Sequence, residues 1–371
     1  MAGVADTTTE YRLKRSIDAF PASDGSLYLL RTGAGEDYVV EDATARDRVI
    51  LELLGKGYVS EAAIVDELRR RGVDSVGVGD ALADLERGAF VERAGGGSLL
   101  ADRERARYDR QLIYFADLAA AGVMSEELQL RLKRATVVVL GTGGLGSWTA
   151  CGLACAGVGS LVLTDDDRVE LSNLNRQILF GERDVGGLKV EMAKRALHAH
   201  NPEIDVRAVV RRVSGPRDLD DLLDGVSLVI TVADWPPYDL PRWVNGACVA
   251  AGVPHISAGQ HLPLNRIGPT VVPGVSACLE CEERGIRSEY PLYDELAEFR
   301  TAHPVDAATI APASGIVGSM LAMEAIHLLT GLVKPSSQDA VLMFDLRTLV
   351  VTREEFTRDP ECPVCGGLSA G

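Results

Sequence analysis

A glycine-rich segment near the middle of the chain has the residue types and spacing to hold a phosphate. Gly141, Gly143 and Gly146 follow an apolar run at 135–140, which is predicted to be a buried strand. Glycines at this spacing let the backbone approach a phosphate at a helix N-terminus. The next predicted strand ends at Asp165, where a carboxylate can accept hydrogen bonds from a ribose. The segment therefore predicts the first half of a nucleotide-binding βαβ unit.

The polar residues after Asp165 favour a triphosphate ligand. The glycine motif alone would fit an NAD-type dinucleotide equally well. Asn173, Arg176 and Lys189 follow it in the chain. Two cations and a carboxamide suit a triphosphate, whose charge must be neutralised while it is attacked. Arg176 could instead cap a helix. Lys189 begins a predicted helix, where the dipole disfavours a cation, and this mismatch favours a functional role.

Four of the seven cysteines form two C-x-x-C pairs, which are typical of a structural metal site. In an intracellular chain such pairs favour one tetrahedral zinc site over redox-active or free thiols. The remaining three cysteines sit singly in apolar helical stretches and are predicted to belong to the core. The zinc ligands would be Cys278, Cys281, Cys362 and Cys365, and the core cysteines Cys151, Cys155 and Cys248.

The elements that must position these residues alternate between strand and helix. This pattern predicts an α/β fold with a doubly wound, Rossmann-like, mainly parallel sheet covered on both faces. Strands are expected at 205–210, 227–232 and 254–258. They are followed by a large helix at 314–330 and a hairpin-like pair of strands at 341–354.

A small winged-helix α+β domain is predicted at 11–94, after a disordered tail at 1–10. Its expected order is β-β-β-α-α-α-β, with one long strand at 11–20 and helix caps at Thr44 and Ser60. The glycine-rich segment 95–102 is expected to be a linker, and 103–371 the nucleotide-binding domain.

Charge and hydropathy exclude several classes of protein. The 371 residues carry a net charge of −16, and residues 1–100 hold 18 acidic against 12 basic side chains. No basic footprint for nucleic acid or anionic membranes is present, so we expect the first domain to bind a peptide by strand addition. We expect no signal peptide, no apolar run near the roughly 18 residues of a membrane span, and a cytoplasmic location.

Several motifs occur in a fixed order along 103–367. They are RYDRQ at 107–111, GTGGLG at 141–146, DDDRVELSNLNRQ at 165–177, GGLK at 186–189, Asp234 after a strand, and the two C-x-x-C pairs. This series resembles the ThiF-type adenylyltransferase superfamily, which activates carboxylates and includes the ubiquitin-activating enzymes and the activators of the thiamin and molybdopterin sulfur carriers. With its N-terminal module, the chain resembles the microcin C-type peptide adenylyltransferases.

The resemblance implies roles for individual residues. ATP would be held by the glycine loop and the polar residues after it, with Asp165 on the ribose. Asp234 would carry Mg²⁺, and Arg110 would act across the interface of a homodimer, although it could also be a surface partner of Asp109 or Glu104. The implied catalytic residues are Arg110, Arg176, Lys189 and Asp234. The implied nucleotide-binding residues are Gly141, Gly143, Gly144, Gly146, Asp165, Asp167, Asn173 and Gln177.

The segment 282–312 holds no cysteine, whereas ubiquitin-activating relatives use one there to take over the acyl group. We therefore expect no thioester relay, and a long loop that crosses the active site. The leading hypothesis is ATP-dependent adenylation of the C-terminus of a ribosomally made precursor peptide. The alternatives are activation of a ubiquitin-like sulfur carrier, and a non-catalytic leader-binding partner of a cyclodehydratase.

Overall fold

The strand that precedes the glycine loop lies inside an eight-stranded sheet. The computed structural model describes residues 9–31, 38–95, 98–304 and 308–368, which form two units that divide between Leu130 and Arg131. The large sheet belongs to the second unit. Its strands are β7 (Thr136–Leu140), β8 (Ser160–Thr164), β9 (Asp205–Val209), β10 (Leu228–Thr231), β11 (His255–His261), β12 (Leu264–Val271), β13 (Ala340–Asp345) and β14 (Val350–Glu355).

The sheet order is β14-β13-β12-β11-β10-β7-β8-β9, and the five strands from β11 to β9 are parallel. β12, β13 and β14 extend the sheet as antiparallel strands. The predicted doubly wound fold and the final hairpin are confirmed. β12 was not predicted from the sequence.

Helices cover the sheet on both faces. They are α7 (Gly144–Ala156), α8 (Lys189–His200), α9 (Asp239–Ala251), α10 (Leu279–Glu289), α11 (Tyr293–Ala302) and α12 (Ala311–Thr330). Alternate strand residues such as Val138 and Leu140 share a core with Leu240 and Val244 of α9. α7 packs against α8 and α12. Because the central strands β7, β8 and β10 are covered on both faces, they are nearly continuous apolar runs, as in parallel sheets generally.

α12 corrects the expectation that no apolar run reaches the length of a membrane span. The helix has 20 residues and contains an 18-residue window with a mean hydropathy of 1.3, which passes that test by length and composition alone. The helix packs against α7, β11 and β12, and Val317, Leu321 and Ala325 are fully buried. A side chain in place of Gly318 would lie 2.6 Å from Cβ of Trp148. This packing accounts for the apolar stripe of the helix.

The first unit contains two three-stranded sheets, ordered β5-β1-β6 and β2-β3-β4. The strands are β1 (Thr9–Leu13), β2 (Ile17–Pro21), β3 (Leu27–Arg31), β4 (Tyr38–Val40), β5 (Val59–Ser60) and β6 (Val91–Gly95). The helices are α1 (Ala45–Lys56), α2 (Glu61–Arg70), α3 (Val78–Arg87), α4 (Asp102–Arg107) and α5 (Asp109–Leu118), and α6 (Ser125–Arg134) crosses the division between the units.

The first unit departs from the predicted element order at two places: a turn divides the first strand, and the short strand β5 lies between α1 and α2. The long strand expected at 11–20 is two strands in different sheets, because the chain turns at Lys14, where the amide of Ile17 donates to the Lys14 carbonyl at 2.9 Å. The predicted caps are confirmed: Thr44 forms a capping box with Asp47, and Ser60 accepts from the amide of Ala63. Residues 1–8 of the expected tail lie outside the described residues, and β1 already begins at Thr9.

His255 is a buried core histidine. Its Nε2 lies 3.2 Å from Oδ1 of Asn245, and burial lowers its pKa to about 4. An unfolded histidine titrates near pH 6.5. Because the unfolded chain binds this proton more tightly, the stability is fully present above pH 6.5. It is lost as the pH falls towards 4.

We expect that lowering the pH from 7 to 4.5 reduces the free energy of unfolding of the unmodified chain by roughly 2–3 kcal/mol more than that of His255→Gln. Urea unfolding of both proteins at the two pH values measures the difference. Protonation of other groups changes the free energy of unfolding of both proteins alike, so it cancels in the difference. Parallel pH profiles would contradict the assignment.

Candidate nucleotide-binding site

A cavity of about 380 Å³ opens where β7, β8 and β10 end. β7 pairs with β8 on one side and β10 on the other, so Gly141, Asp165 and Val232 emerge at the same edge of the sheet. This is the topological switch point, where open α/β sheets bind their ligands. The predicted residues that line the cavity are Gly141, Gly143, Gly144, Asp165, Asp167, Asn173, Arg176, Gln177, Lys189 and Asp234.

The glycine loop is shaped by two close backbone approaches. Gly141 has φ of +97°, and a Cβ there would lie 2.8 Å from the amide nitrogen of Ala233. A Cβ on Gly146 would lie 1.9 Å from the carbonyl oxygen of Gly141. Gly143 precedes α7, and the helix begins without a side-chain cap. The first amides of this 13-residue helix are therefore left for an anion at the cavity, as helix N-termini generally allow.

We expect Gly146→Ala to abolish nucleotide binding or to destabilise the fold by several kcal/mol, because the new methyl group would overlap the Gly141 carbonyl. Gly246→Ala is the matched control. Gly246 lies within α9 with no atom within 4 Å of its would-be Cβ, so alanine should stabilise the helix by about 0.5–1 kcal/mol. Thermal unfolding with and without ATP tests both. Wild-type ATP protection of Gly146→Ala would contradict the prediction.

Asp165 is positioned by the glycine loop itself. Its Oδ2 accepts hydrogen bonds from the amide of Thr142 at 2.8 Å and from Thr142 Oγ1 at 2.9 Å. Its Oδ1 accepts from the amide of Asp167 at 2.9 Å. Three donors hold the carboxylate at the strand tip, half-buried and facing the cavity. Of the acidic run at 165–167, Asp165 is thus the preorganised member, while Asp166 and Asp167 are exposed.

Lys189 is a buried cation at the first position of α8, where the sequence placed it. Its side chain is only 8% exposed, and its Nζ lies 2.7 Å from Oδ2 of Asp167, which is 63% exposed. An ion pair with a solvated carboxylate is readily exchanged for another anion, because solvent screens the pair. Asp167 therefore orients the Lys189 side chain at the cavity.

Arg176 and Asn173 line the cavity, and Cδ of Arg176 would lie 3.7 Å from a Cβ placed on Gly144 of the glycine loop. The guanidinium of Arg176 donates to the Ser172 carbonyl at 2.9 Å and to Asn175 Oδ1 at 3.0 Å, while Oδ1 of Asn173 accepts from the Glu170 amide. These bonds engage one Arg176 nitrogen and one Asn173 oxygen. Arg176 therefore makes the carbonyl contact that the helix-capping alternative expects, and it also lines the cavity.

Two glutamines carry buried polar atoms without partners among the described residues. They are Oε1 of Gln177 and Nε2 of Gln260, both in cavity-lining residues. Leaving such atoms unpaired costs about 1–3 kcal/mol each, which a ligand would offset. Gln260 Oε1 accepts from Thr309 Oγ1 at 2.9 Å. Gln260 and Thr309 were not predicted, because no motif marks them and only the fold brings them to the cavity.

Asp234 and Arg110 differ in position. Asp234 is exposed at the cavity edge, and α9 begins five residues later with Tyr238 at its N-cap, so Asp234 does not cap that helix. Arg110 lies in the first unit, on α5, with its side chain 92% exposed. Its Nε is 3.9 Å from Asp109, whose carboxylate is instead engaged by Arg15 at 2.5 Å. Arg110 is thus an exposed residue with a long contact to Asp109, as the surface-pair alternative describes.

Four buried cysteines converge at the start of α10. Sγ of Cys278 lies 3.9 Å from that of Cys281 and 3.6 Å from that of Cys362, and Cys281 lies 3.4 Å from Cys365. Tetrahedral zinc with bonds of about 2.3 Å would place its sulfurs roughly 3.8 Å apart, so the four thiols fit zinc.

Of the three cysteines predicted to belong to the core, Cys248 is buried as predicted. The core prediction is wrong for Cys155, which is exposed, and for Cys151, which is half-buried.

The segment 282–312 is more ordered than the predicted loop. α10 and α11 occupy most of it, followed by Thr309 in the cavity lining. Its helices are fixed by ion pairs, including Arg242 with Glu283 at 2.9 Å and Arg287 with Asp294 at 3.0 Å. Residues 305–307 lie outside the described residues. The expected approach to the site is thus carried by the residues just before α12.

A doubly wound sheet with a glycine loop, an anchored carboxylate and two cations at its switch point is typical of a nucleotide-binding enzyme. Residues 108–364 match the ThiF family model, and the chain belongs to the ThiF family. It is an ATP-dependent adenylyltransferase.

Two curated relatives match about 70% of the chain. The vegetative protein HesA of Trichormus variabilis is 35% identical over 261 residues, 70% of this chain and 89% of its own. The sulfur carrier protein ThiS adenylyltransferase of Escherichia coli K12 is 33% identical over 272 residues, 71% of this chain and 96% of its own.

One solved structure is similar along nearly the whole chain. The crystal structure of E. coli MccB with ATP has a TM-score of 0.74 and 27% identity, covering 96% of this chain and all of that one. The microcin C7 biosynthetic enzyme MccB has also been solved in complex with N-formylated MccA, with a TM-score of 0.74 and 26% identity to this chain.

Proposed function

We propose that this enzyme adenylates the C-terminal carboxylate of a ribosomally made precursor peptide, which it binds through its first unit. One observation supports this substrate over a sulfur carrier. The similarity to MccB covers 96% of the chain, including the N-terminal unit, whereas the similarity to the ThiS activator covers 71%. The domain boundaries 11–94, 95–102 and 103–371 are part of this proposal.

The reaction transfers AMP without redox chemistry. A carboxylate oxygen of the peptide attacks the α-phosphorus of ATP, the bond to the bridging oxygen breaks, and pyrophosphate leaves with that electron pair. The attacking group is already ionised, so no general base is needed. Catalysis comes from positioning and from neutralisation of the phosphates. The observed cavity chemistry of cations, amides and an anchored acid suits this task.

Each cavity residue has a role in this mechanism. Asp165 binds the ribose, and the loop from Gly141 to Gly146 presents amides to the α-phosphate. The phosphates and the developing charge are held by Asn173, Arg176, Gln177 and Lys189, and Asp167 releases Lys189 when the nucleotide arrives. Asp234, an exposed carboxylate at the cavity edge, would hold Mg²⁺, an oxygen-preferring ion that adds positive charge beside the phosphates.

The first unit would bind the peptide at a sheet edge. β2 and β4 are the outer strands of their sheet, and Phe20 and Tyr38 on them are 54% and 51% exposed. Strand addition there uses main-chain hydrogen bonds, and the exposed aromatic rings offer side-chain contacts. Holding the leader would raise the effective concentration of the peptide's tail at ATP. The negative charge of this unit argues for a peptide rather than a nucleic acid.

Mass spectrometry of the reaction products tests the substrate. The full chain is incubated with ATP and Mg²⁺, once with a short peptide encoded beside its gene and once with a ubiquitin-like sulfur carrier ending in Gly-Gly. We expect an AMP adduct on the peptide, with KM rising and kcat nearly unchanged when its leader residues are removed. Adenylation of the carrier alone would overturn the peptide proposal and support the second candidate, which the 33% identity to the ThiS activator favours.

The proposed homodimer can be tested by mixing two inactive variants, Arg110→Ala and Lys189→Ala. If Arg110 acts across the interface, a heterodimer holds one site with both residues intact. Random exchange of subunits in an equal mixture would then restore about a quarter of wild-type activity. If Arg110 acts within its own subunit, no mixture recovers activity.

We further propose that the enzyme is cytoplasmic and that the four-cysteine cluster holds zinc.

A further inference from the structure

A second cluster of metal-ligating side chains lies where α7 and α8 end. Cys151 and Cys155 are on α7, and His200 is the last residue of α8. One ligand atom from each lies within 4.8 Å of the others. Cys155 and His200 are exposed and Cys151 is half-buried, so a solvated ion could reach all three.

The backbone fixes this cluster independently of any ion. Cys151 and Cys155 are four residues apart, which places both thiols on one face of the helix. Nδ2 of the fully buried Asn201 donates to the carbonyl of Ala154 at 2.8 Å. This bond joins the residue beside His200 to the residue beside Cys155. The two helix ends, and hence the ligands, are held together by a buried contact.

The electrostatics of the two helix ends favour a cation. α7 ends at Ala156 and α8 at His200, so both negative dipole ends adjoin the cluster. The two thiols also interact directly, through a side-chain hydrogen bond between Cys151 and Cys155.

We propose that Cys151, Cys155 and His200 form a binding site for a thiophilic divalent cation such as Zn²⁺. With bonds of about 2.3 Å to sulfur and 2.0–2.1 Å to nitrogen, tetrahedral zinc would bring the ligand atoms to roughly 3.5–3.8 Å from one another, within reach of small side-chain rotations. Water would fill the fourth position, and the thiol protons pass to solvent on binding. Cys155 lies roughly 16 Å along α7 from its start at Gly144, so this site is separate from the nucleotide cavity.

Cobalt titration of the full-length protein tests the site. The four-cysteine cluster is first filled with zinc, and weakly held metal is removed by dialysis. Added Co²⁺ is expected to bind one further equivalent, with the near-ultraviolet charge-transfer absorption of a cobalt thiolate. Cys155→Ser and His200→Asn, both at exposed positions, should each weaken this binding at least about tenfold. His198→Asn, two residues earlier on α8, is the matched control and should bind like wild type.

Equal cobalt uptake and absorption by wild type and Cys155→Ser would overturn the proposal. So would isolation of the protein with Cys151 and Cys155 joined in a disulfide that forms again spontaneously after reduction. If Cys151→Ser fails to fold, the exposed Cys155 and His200 variants still decide the outcome. Zinc analysis before the titration confirms that the four-cysteine cluster is filled in every variant.

Discussion

Replacing Lys189 with alanine is expected to lower kcat for ATP-dependent pyrophosphate release by on the order of 10²–10³, the usual effect of removing one electrostatic donor. The side chain is 8% exposed and its Nζ faces the cavity beside Asp167. A buried charge acts more strongly than a surface charge, because solvent screens it less. The loss should therefore appear in kcat as well as in ATP affinity.

Lys194→Ala is the matched control, since Lys194 lies on the same helix but does not line the cavity. It should leave kcat within about twofold of wild type. Arg176→Ala should resemble Lys189→Ala, because both cations face the same phosphates. Unchanged pyrophosphate release in both cavity variants would refute the catalytic assignment, whatever the substrate proves to be.

The sequence could predict the parts of the fold that rest on local pattern. Buried parallel strands are continuous apolar runs, so β7, β8 and β10 were recognisable with their helices. Thr44 and Ser60 predicted helix starts, because their hydroxyl groups can accept a hydrogen bond from a backbone amide of the first turn. β12 was missed because its Arg266 and Asn265 interrupt the apolar pattern, and their pairing partners come from β11 and β13. The strand expected at 11–20 was divided by a turn at Lys14 that no glycine or proline marks.

The candidate site divides in the same way. Residues within one motif, such as Asp165 and Asn173, could be predicted because the βαβ unit fixes their position relative to the glycine loop. Gln260 and Thr309 could not be predicted, because they reach the cavity from other elements and neither residue type indicates a ligand. The exposure of Cys155 was also missed, since an apolar helix covered on one face still presents its other face to solvent.

The four-cysteine cluster determines how the C-terminal segment is attached to the sheet domain. Cys278 and Cys281 belong to the beginning of α10, whereas Cys362 and Cys365 follow β14. Apolar packing around the cluster is small, with Val249 and Val271 as its main buried members. Burial raises the pKa of Cys281 to about 11, so without a metal this thiol stays protonated at neutral pH. Zinc would displace such protons and supply most of the attachment energy.

We expect Cys362→Ser to lose its zinc and to unfold at a temperature roughly 10–20 °C below wild type. This corresponds to about 5 kcal/mol of the 10–16 kcal/mol that structural zinc contributes in small domains. Zinc content after dialysis against a weak chelator, together with calorimetry, measures both effects. Cys248→Ala removes a buried thiol outside the cluster and should keep its zinc. A Cys362→Ser protein with one tightly bound zinc and a wild-type unfolding temperature would show that the cluster is not the metal site that the sulfur distances indicate.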